Sequence, residues 1–166
     1  MSEHNPYASP KAAVADLFEG EAAPPLWNPT AAGAWSLLFT PVFGAFLHMQ
    51  NWKALGQPEK AAASKKWMLG SIAFLFAIML SSLFISPSEV MERLTNLSGI
   101  VLLIVWYYAI GKSQQTYVAK RFGKTYPRRG WAIPLLTALG LAVVYIGFFT
   151  LLAILLVSTG VISDTF

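Results

Sequence analysis

The sequence predicts an all-α fold, a polytopic transmembrane helical bundle with four membrane segments. Hydrophobic residues make up 55% of the 166 residues and charged residues only 12%, which is about half the charged fraction of an average soluble domain. Four long runs carry no charge, and the short stretches between them carry most of it. A charge in hydrocarbon costs several kcal/mol, so this is the arrangement that a bilayer requires.

Residues 1–26 are predicted to form a mostly irregular N-terminal tail, and residues 27–166 the transmembrane domain. The tail is rich in proline and acidic residues and lacks the basic start and apolar core of a signal peptide. We therefore expect the first hydrophobic run to remain in the mature protein. A short helix capped by Ser9, with Pro10 in its first turn, is the regular element that the tail allows.

The first membrane segment is predicted at about 31–49. Asn28 is a favourable N-cap and Pro29 a favourable first helical residue. Pro41 removes a backbone donor near the middle of the run, and Gly44 follows, so we expect a kink there. Two architectures remain open. The uncharged length favours a kinked span, and the alternative is a re-entrant or interfacial hairpin that turns at Pro41, which leaves three spans.

The second segment, 67–85, is the clearest span because it has nineteen residues without a formal charge. Gly56 is expected to end the preceding helix and Pro58 to open this one. Small residues fall four apart within the segment, at Ala73, Ala77 and Ser81. This spacing lets another helix approach closely, so these residues are candidates for helix packing. The alternative is that small residues are simply common in membrane helices.

The third and fourth segments are predicted at about 94–110 and 131–157. Ser86 is expected to cap the third helix, with Glu89 completing a capping box. The helix is expected to continue past the membrane to Phe122. The fourth run has twenty-seven uncharged residues, which is long enough to cross with tilt.

Ten of the twelve lysine and arginine residues lie in loops 50–66 and 112–130. The positive-inside rule therefore predicts that both loops are cytoplasmic. In a four-span arrangement both termini face outward and Trp27 lies near the outer face, whereas a first segment that does not cross brings the tail to the cytoplasm. The cations of the second of these loops are Lys112, Lys120, Arg121, Lys124, Arg128 and Arg129.

This basic loop has two interpretations. It can bind anionic lipid headgroups or an acidic partner, at roughly 1 kcal/mol per basic residue near a charged leaflet. Alternatively, it is only the signal that sets topology. Nucleic acid is not an expected partner, because the basic residues lie beside hydrophobic runs.

The sequence offers no constellation of catalytic or metal-ligating residues. His4 and His48 are the two histidines, and cysteine is absent, so His/Cys zinc patterns are excluded. His48 is expected to be an interfacial polar group. The membrane segments hold no Asp, Glu, Lys or Arg, which disfavours ion-coupled transport. A pore lined by hydroxyl groups is an alternative that this absence does not exclude. We expect no enzyme activity, no metal and no cofactor.

Two stretches resemble parts of small bacterial inner-membrane proteins. Residues Asn5-Pro6-Tyr7-Ala8-Ser9-Pro10 resemble the opening of many of them, and the stretch from Trp35 to Ala45, continuing to Asn51-Trp52, is similar to a region of uncharacterised ones. The resemblance implies a bacterial inner membrane and carries no activity or functional residues. In size and topology the chain is also similar to membrane immunity proteins, which neutralise toxins from neighbouring bacteria.

The function expected from the sequence is protein–protein interaction in the membrane without catalysis. The specific hypothesis is an immunity protein that binds the inserted helices of a membrane-active toxin. The alternatives are a small channel or transporter subunit and an assembly subunit of a membrane complex.

Overall fold

A computed structural model describes residues 22–85 and 88–162. This part of the chain contains five α-helices: α1 (Pro29–Ala54), α2 (Pro58–Ser82), α3 (Glu89–Trp106), α4 (Lys112–Phe122) and α5 (Ala132–Ser158). Four helical stretches are long and apolar enough to cross a membrane: α1, α2, the rod Glu89–Phe122 and α5. The predicted all-α fold with four hydrophobic segments is confirmed, and the chain is a multi-pass membrane protein. The motif at 5–10 and the short helix expected after Ser9 lie outside the described residues.

The predicted start and end of α1 and the predicted start of α2 are confirmed. The Asn28 side chain accepts hydrogen bonds from Thr30 N at 3.0 Å and Ala31 N at 3.4 Å, and Pro29 opens α1. Gly56 follows the end of α1 with a φ of +65°, a backbone conformation that glycine adopts without steric cost. Pro58 then opens α2.

The third helix begins two residues later than predicted. Ser88 is its N-cap, with Oγ accepting a hydrogen bond from Met91 N at 3.2 Å, and the expected cap Ser86 lies outside the described residues. A π-helical turn, Tyr107–Gly111, joins α3 to α4 without a break, so the rod Glu89–Phe122 has 34 residues. At 1.5 Å per residue it is about 50 Å long and projects beyond a hydrocarbon layer of about 30 Å.

α1 is a hairpin rather than one straight helix. Phe39 (φ −106°, ψ 19°) and Thr40 (φ 66°, ψ 167°) leave the helical conformation directly before Pro41. His48 Nε2 then lies 3.4 Å from the carbonyl oxygen of Pro29. In a straight helix these two residues would be about 28 Å apart along the axis. The arms 29–38 and 41–54 therefore run antiparallel.

The hairpin can enter hydrocarbon without crossing it. Leu37 and Leu38, beside the turn, are 76% and 69% exposed. The arm 29–38 extends about 15 Å, which is half of a hydrocarbon layer about 30 Å thick. Of the two architectures that the sequence leaves open, the contacts between the arms fit the re-entrant hairpin.

The segment before the hairpin is fixed to the loop before α5. Leu26 N donates to Pro127 O at 3.0 Å, and Arg129 N donates to Leu26 O at 2.9 Å. Trp27 Nε1 donates to Gly130 O at 3.0 Å. Residues 22–28 therefore lie on the same side of the molecule as loop 123–131, here called the basic side. Trp27 is on this side too, and the outer position expected for it in a four-span arrangement is wrong.

Packing is concentrated on the hairpin. Ala32, Phe43 and Leu47 from the two arms form one buried cluster, which Trp131 and Leu135 cover from the α5 end. In the most apolar stretch of α1, 39% of residues are buried, against 11% in α2 and 6% in α5. The hairpin is thus the core of the basic side, and the spanning helices surround it with their outer faces exposed.

Candidate functional site

A buried polar seam joins the hairpin to α4. Asn51 and Gln114 are both fully buried. The Asn51 side-chain amide accepts a hydrogen bond from Trp27 N at 3.0 Å and donates to Trp27 O at 2.8 Å. It also donates to Gln114 Oε1 at 3.1 Å, and Gln114 Nε2 donates to His48 O at 2.8 Å. One amide pair therefore holds three parts of the chain together: the entry to the hairpin, its second arm and α4.

The two hairpin arms and α3 pack tightly at Gly44. A Cβ atom at this position would overlap both Ser36 Oγ, on the first arm, and the ring of Trp106, at the end of α3. Trp106 is fully buried, and so is Ser36, whose hydroxyl donates to Ala32 O at 2.9 Å. The sequence predicts a kink at Pro41 and Gly44. The structure places the break just before Pro41 and uses Gly44 for close packing.

His48 is fully buried inside the protein, whereas the sequence predicts a polar group at the membrane interface. Its ring centroid lies 5.5 Å from that of Trp106. Within the described residues, His48 Nδ1 and Trp106 Nε1 have no hydrogen-bond partner. The described residues also contain no group of three His, Cys, Asp or Glu side chains that could hold a metal ion. The hydrogen bonds of the seam fix the hairpin and α4 against one another.

The predicted packing residues are on the outside. Ala73, Ala77 and Ser81 on α2 are all exposed rather than buried against a neighbouring helix. Ser81 Oγ donates to Ala77 O at 2.8 Å and to Ile78 O at 2.9 Å, so the hydroxyl is satisfied by its own helix. These three residues, the small-residue stripe of α2, thus form a surface that a helix from another molecule can approach.

The predicted basic loop is half helix and half turn. Lys112, Lys120 and Arg121 belong to α4, which ends at Phe122 as expected, before Gly123 with its φ of 59°. Arg121 donates to the Tyr117 hydroxyl at 2.9 Å. Lys124, Arg128 and Arg129 lie in the turn that follows. The structure therefore separates the six cations into two groups.

The seam is the feature that sequence reasoning missed. The sequence predicts no role for Asn51 or Gln114, which lie within loops 50–66 and 112–130. A polar amide at the end of an uncharged run, followed by a second amide in a later helix, was the available signal. The chain matches no protein-family model, no curated protein and no solved structure.

Proposed function

We propose that this chain is a non-enzymatic inner-membrane protein that binds another membrane protein through exposed helix faces. The supporting observation is the uneven packing of the fold. The hairpin and the seam fix the basic side, whereas the spanning helices leave nearly nine-tenths or more of their most apolar residues unburied. Such a scaffold presents helices to the membrane in a fixed arrangement.

The outer face of α2 is the surface we assign to the partner. Its small residues, Ala73, Ala77 and Ser81, are exposed. Lipid tails are as apolar as leucine, so helices associate in membranes mainly through close packing, which small residues permit. The face is available because α5 contacts α2 elsewhere, where Tyr145 donates a hydrogen bond to Leu75 O at 2.9 Å.

The specific form of this proposal is an immunity protein that binds the inserted helices of a membrane-active toxin and blocks pore assembly. The small size, the multi-pass topology and the exposed helix faces support it. With the basic side in the cytoplasm, as the positive-inside rule requires, the α2 face is accessible from within the membrane. A deletion strain would be killed by kin cells, and unaltered survival would count against the immunity form.

Substitution of Ala77 by leucine tests the binding face. Leucine there would block close approach of a partner helix, so we expect the amount of partner that co-purifies from native membranes to fall at least about tenfold, a loss of about 1.4 kcal/mol. The matched control is Gly140→Leu, an exposed small residue on α5 with no neighbour close to its Cβ position.

Partners are identified by mass spectrometry after photo-crosslinking from position 80, because Leu80 is 47% exposed on α2 one turn after Ala77. The proposal predicts one membrane protein that is crosslinked in the parent, retained by the Gly140 variant and lost from the Ala77→Leu variant. Equal recovery of crosslinked partners from all three, or crosslinks to lipid alone, would mean that Ala77 faces lipid and that the proposed binding face is wrong.

A further inference from the structure

The turn between α4 and α5 carries three cations beside two aromatic rings. Lys124 and Arg128 are exposed, and Arg129 is half-buried. The Arg129 guanidinium lies 4.6 Å from the centroid of the Trp27 ring, and that of Arg128 lies 5.6 Å from the centroid of Tyr126. We call these three cations, with Trp27 and Tyr126, the basic corner.

The backbone of the basic corner is held rigidly. Both neighbours of Arg128 are hydrogen-bonded to Leu26, through Pro127 O and Arg129 N. Leu26 itself is fully buried. The aromatic contacts also restrict the two guanidinium groups, since a cation over a ring is attracted by its quadrupole. An anion that binds here therefore finds preorganised donors and has less side-chain entropy to remove.

The described part of the chain does not neutralise these charges. Within 22–85 and 88–162 the acidic residues are Glu59, Glu89 and Glu92. The ion pair recorded there joins Glu89 to Arg93 at 3.6 Å, and neither residue belongs to the basic corner. Arg128 and Arg129 thus have aromatic neighbours but no carboxylate among the described residues. Guanidinium groups bind phosphate through paired, charge-assisted hydrogen bonds.

The position of the basic corner identifies the source of the phosphate. Trp131 and the first turn of α5 follow it directly in the chain. Tryptophan concentrates at the headgroup level of a bilayer, and α5 enters the apolar layer from there. We propose that the basic corner binds the headgroup phosphate of an anionic phospholipid in the leaflet on the basic side. The lipid then bridges the N-terminal segment to the start of α5.

The experiment measures lipid binding to the full chain in mild detergent by native mass spectrometry. The full chain is used, so that the four acidic residues within 1–21 are present. Phosphatidylglycerol is titrated against the parent and Arg128→Gln/Arg129→Gln. At about 1 kcal/mol per basic residue, removal of two charges should weaken phosphatidylglycerol binding roughly 30-fold.

Three controls distinguish a built corner from a diffuse positive charge. Lys65→Gln/Lys66→Gln removes two exposed cations from α2 and should leave binding within about threefold of the parent. Arg128→Lys/Arg129→Lys keeps the charge but loses the paired guanidinium hydrogen bonds, so it should bind phosphatidylglycerol more weakly than the parent and more tightly than the glutamine variant. Phosphatidylcholine and inorganic phosphate should bind the parent weakly, because the first lacks net charge and the second lacks acyl chains.

The proposal is overturned if Arg128→Gln/Arg129→Gln binds phosphatidylglycerol like the parent. It is also overturned if Lys65→Gln/Lys66→Gln loses as much affinity, or if phosphatidylcholine binds the parent as well as phosphatidylglycerol does. Where the glutamine variant does not fold, the salt dependence of lipid binding to the parent tests the proposal instead. The parent's preference for phosphatidylglycerol must then fall in high salt, as screening of an exposed charge requires, and a preference that salt leaves unchanged overturns the proposal.

Discussion

Thr40 is the residue whose backbone conformation makes the hairpin possible. Its φ of 66° with ψ of 167° lies in a region that is essentially reserved for glycine and that costs a side-chain-bearing residue about 1–3 kcal/mol. A β-branched residue is especially disfavoured at positive φ. The cost is tolerated because the polar seam and the close contact at Gly44 hold both arms in place.

Replacement of Thr40 by glycine should therefore stabilise the protein by about 1 kcal/mol, because glycine adopts the required backbone conformation without strain. Thermal unfolding in detergent, monitored by size-exclusion chromatography, should show a rise of a few degrees in Tm. The control is Thr40→Ala, which removes the side chain but not the strain and should not raise Tm. A rise in Tm with alanine but not with glycine would contradict the assigned backbone conformation.

Gly44 is required for close packing against Ser36 and Trp106. Gly44→Ala should destabilise the protein by about 1–3 kcal/mol, since both neighbours lie where the new methyl group must go. Gly70→Ala on α2 is the matched control. No atom lies within 4 Å of its Cβ position, so alanine should be neutral or stabilising there, as its helix propensity predicts. Equal Tm values for the two variants would show that Gly44 is not a packing point.

At the scale of elements, the Asn51–Gln114 pair is what couples the hairpin to α4. Gln114→Leu removes two buried hydrogen bonds, one from the Asn51 amide and one to the His48 carbonyl, at about 0.5–1.5 kcal/mol each. We expect a fall in Tm that is at least twice that of Gln115→Leu. Gln115 is only half-buried and accepts one hydrogen bond, from the Tyr107 hydroxyl at 3.2 Å, which water can replace. Similar Tm values for the two leucine variants would argue against coupling through the seam.

The helix ends that the sequence predicts correctly depend on local chemistry. Asn28, Pro29, Gly56 and Pro58 act through neighbouring backbone groups, so their roles can be recognised in a window of a few residues. Ser86 and Ser88 show the limit of this reasoning, because two serines offer the same capping chemistry two residues apart.

The sequence allows the hairpin as one of two architectures, but it does not decide between the hairpin and a kinked span. Pro41 indicates a break in any architecture, whereas reversal of the chain depends on contacts between Trp27 and Asn51 and between Asn51 and Gln114, which are far apart in sequence. The small-residue stripe of α2 illustrates the same limit. Spacing identifies a face that can pack closely, but it does not say whether the neighbour comes from the same chain.

At the scale of the molecule, the fold consists of a fixed basic side and spanning helices with exposed outer faces. Both ends of the hairpin lie on the basic side, together with loop 123–131. This arrangement gathers the cations of both basic loops on one side and leaves Arg93 on the other. The distribution of these cations follows the positive-inside rule.

The central claim is that α1 enters the membrane and returns without crossing it. Single cysteines test this cleanly, because the chain contains none of its own. Intact cells carrying Ala22→Cys, Gln57→Cys, Thr125→Cys or Glu89→Cys are treated with a membrane-impermeant maleimide, before and after permeabilisation. We predict that cysteines at 22, 57 and 125 are protected together until permeabilisation, while the cysteine at 89 is labelled at once. Labelling of position 22 together with position 89 in intact cells would show that α1 spans, and would contradict the account.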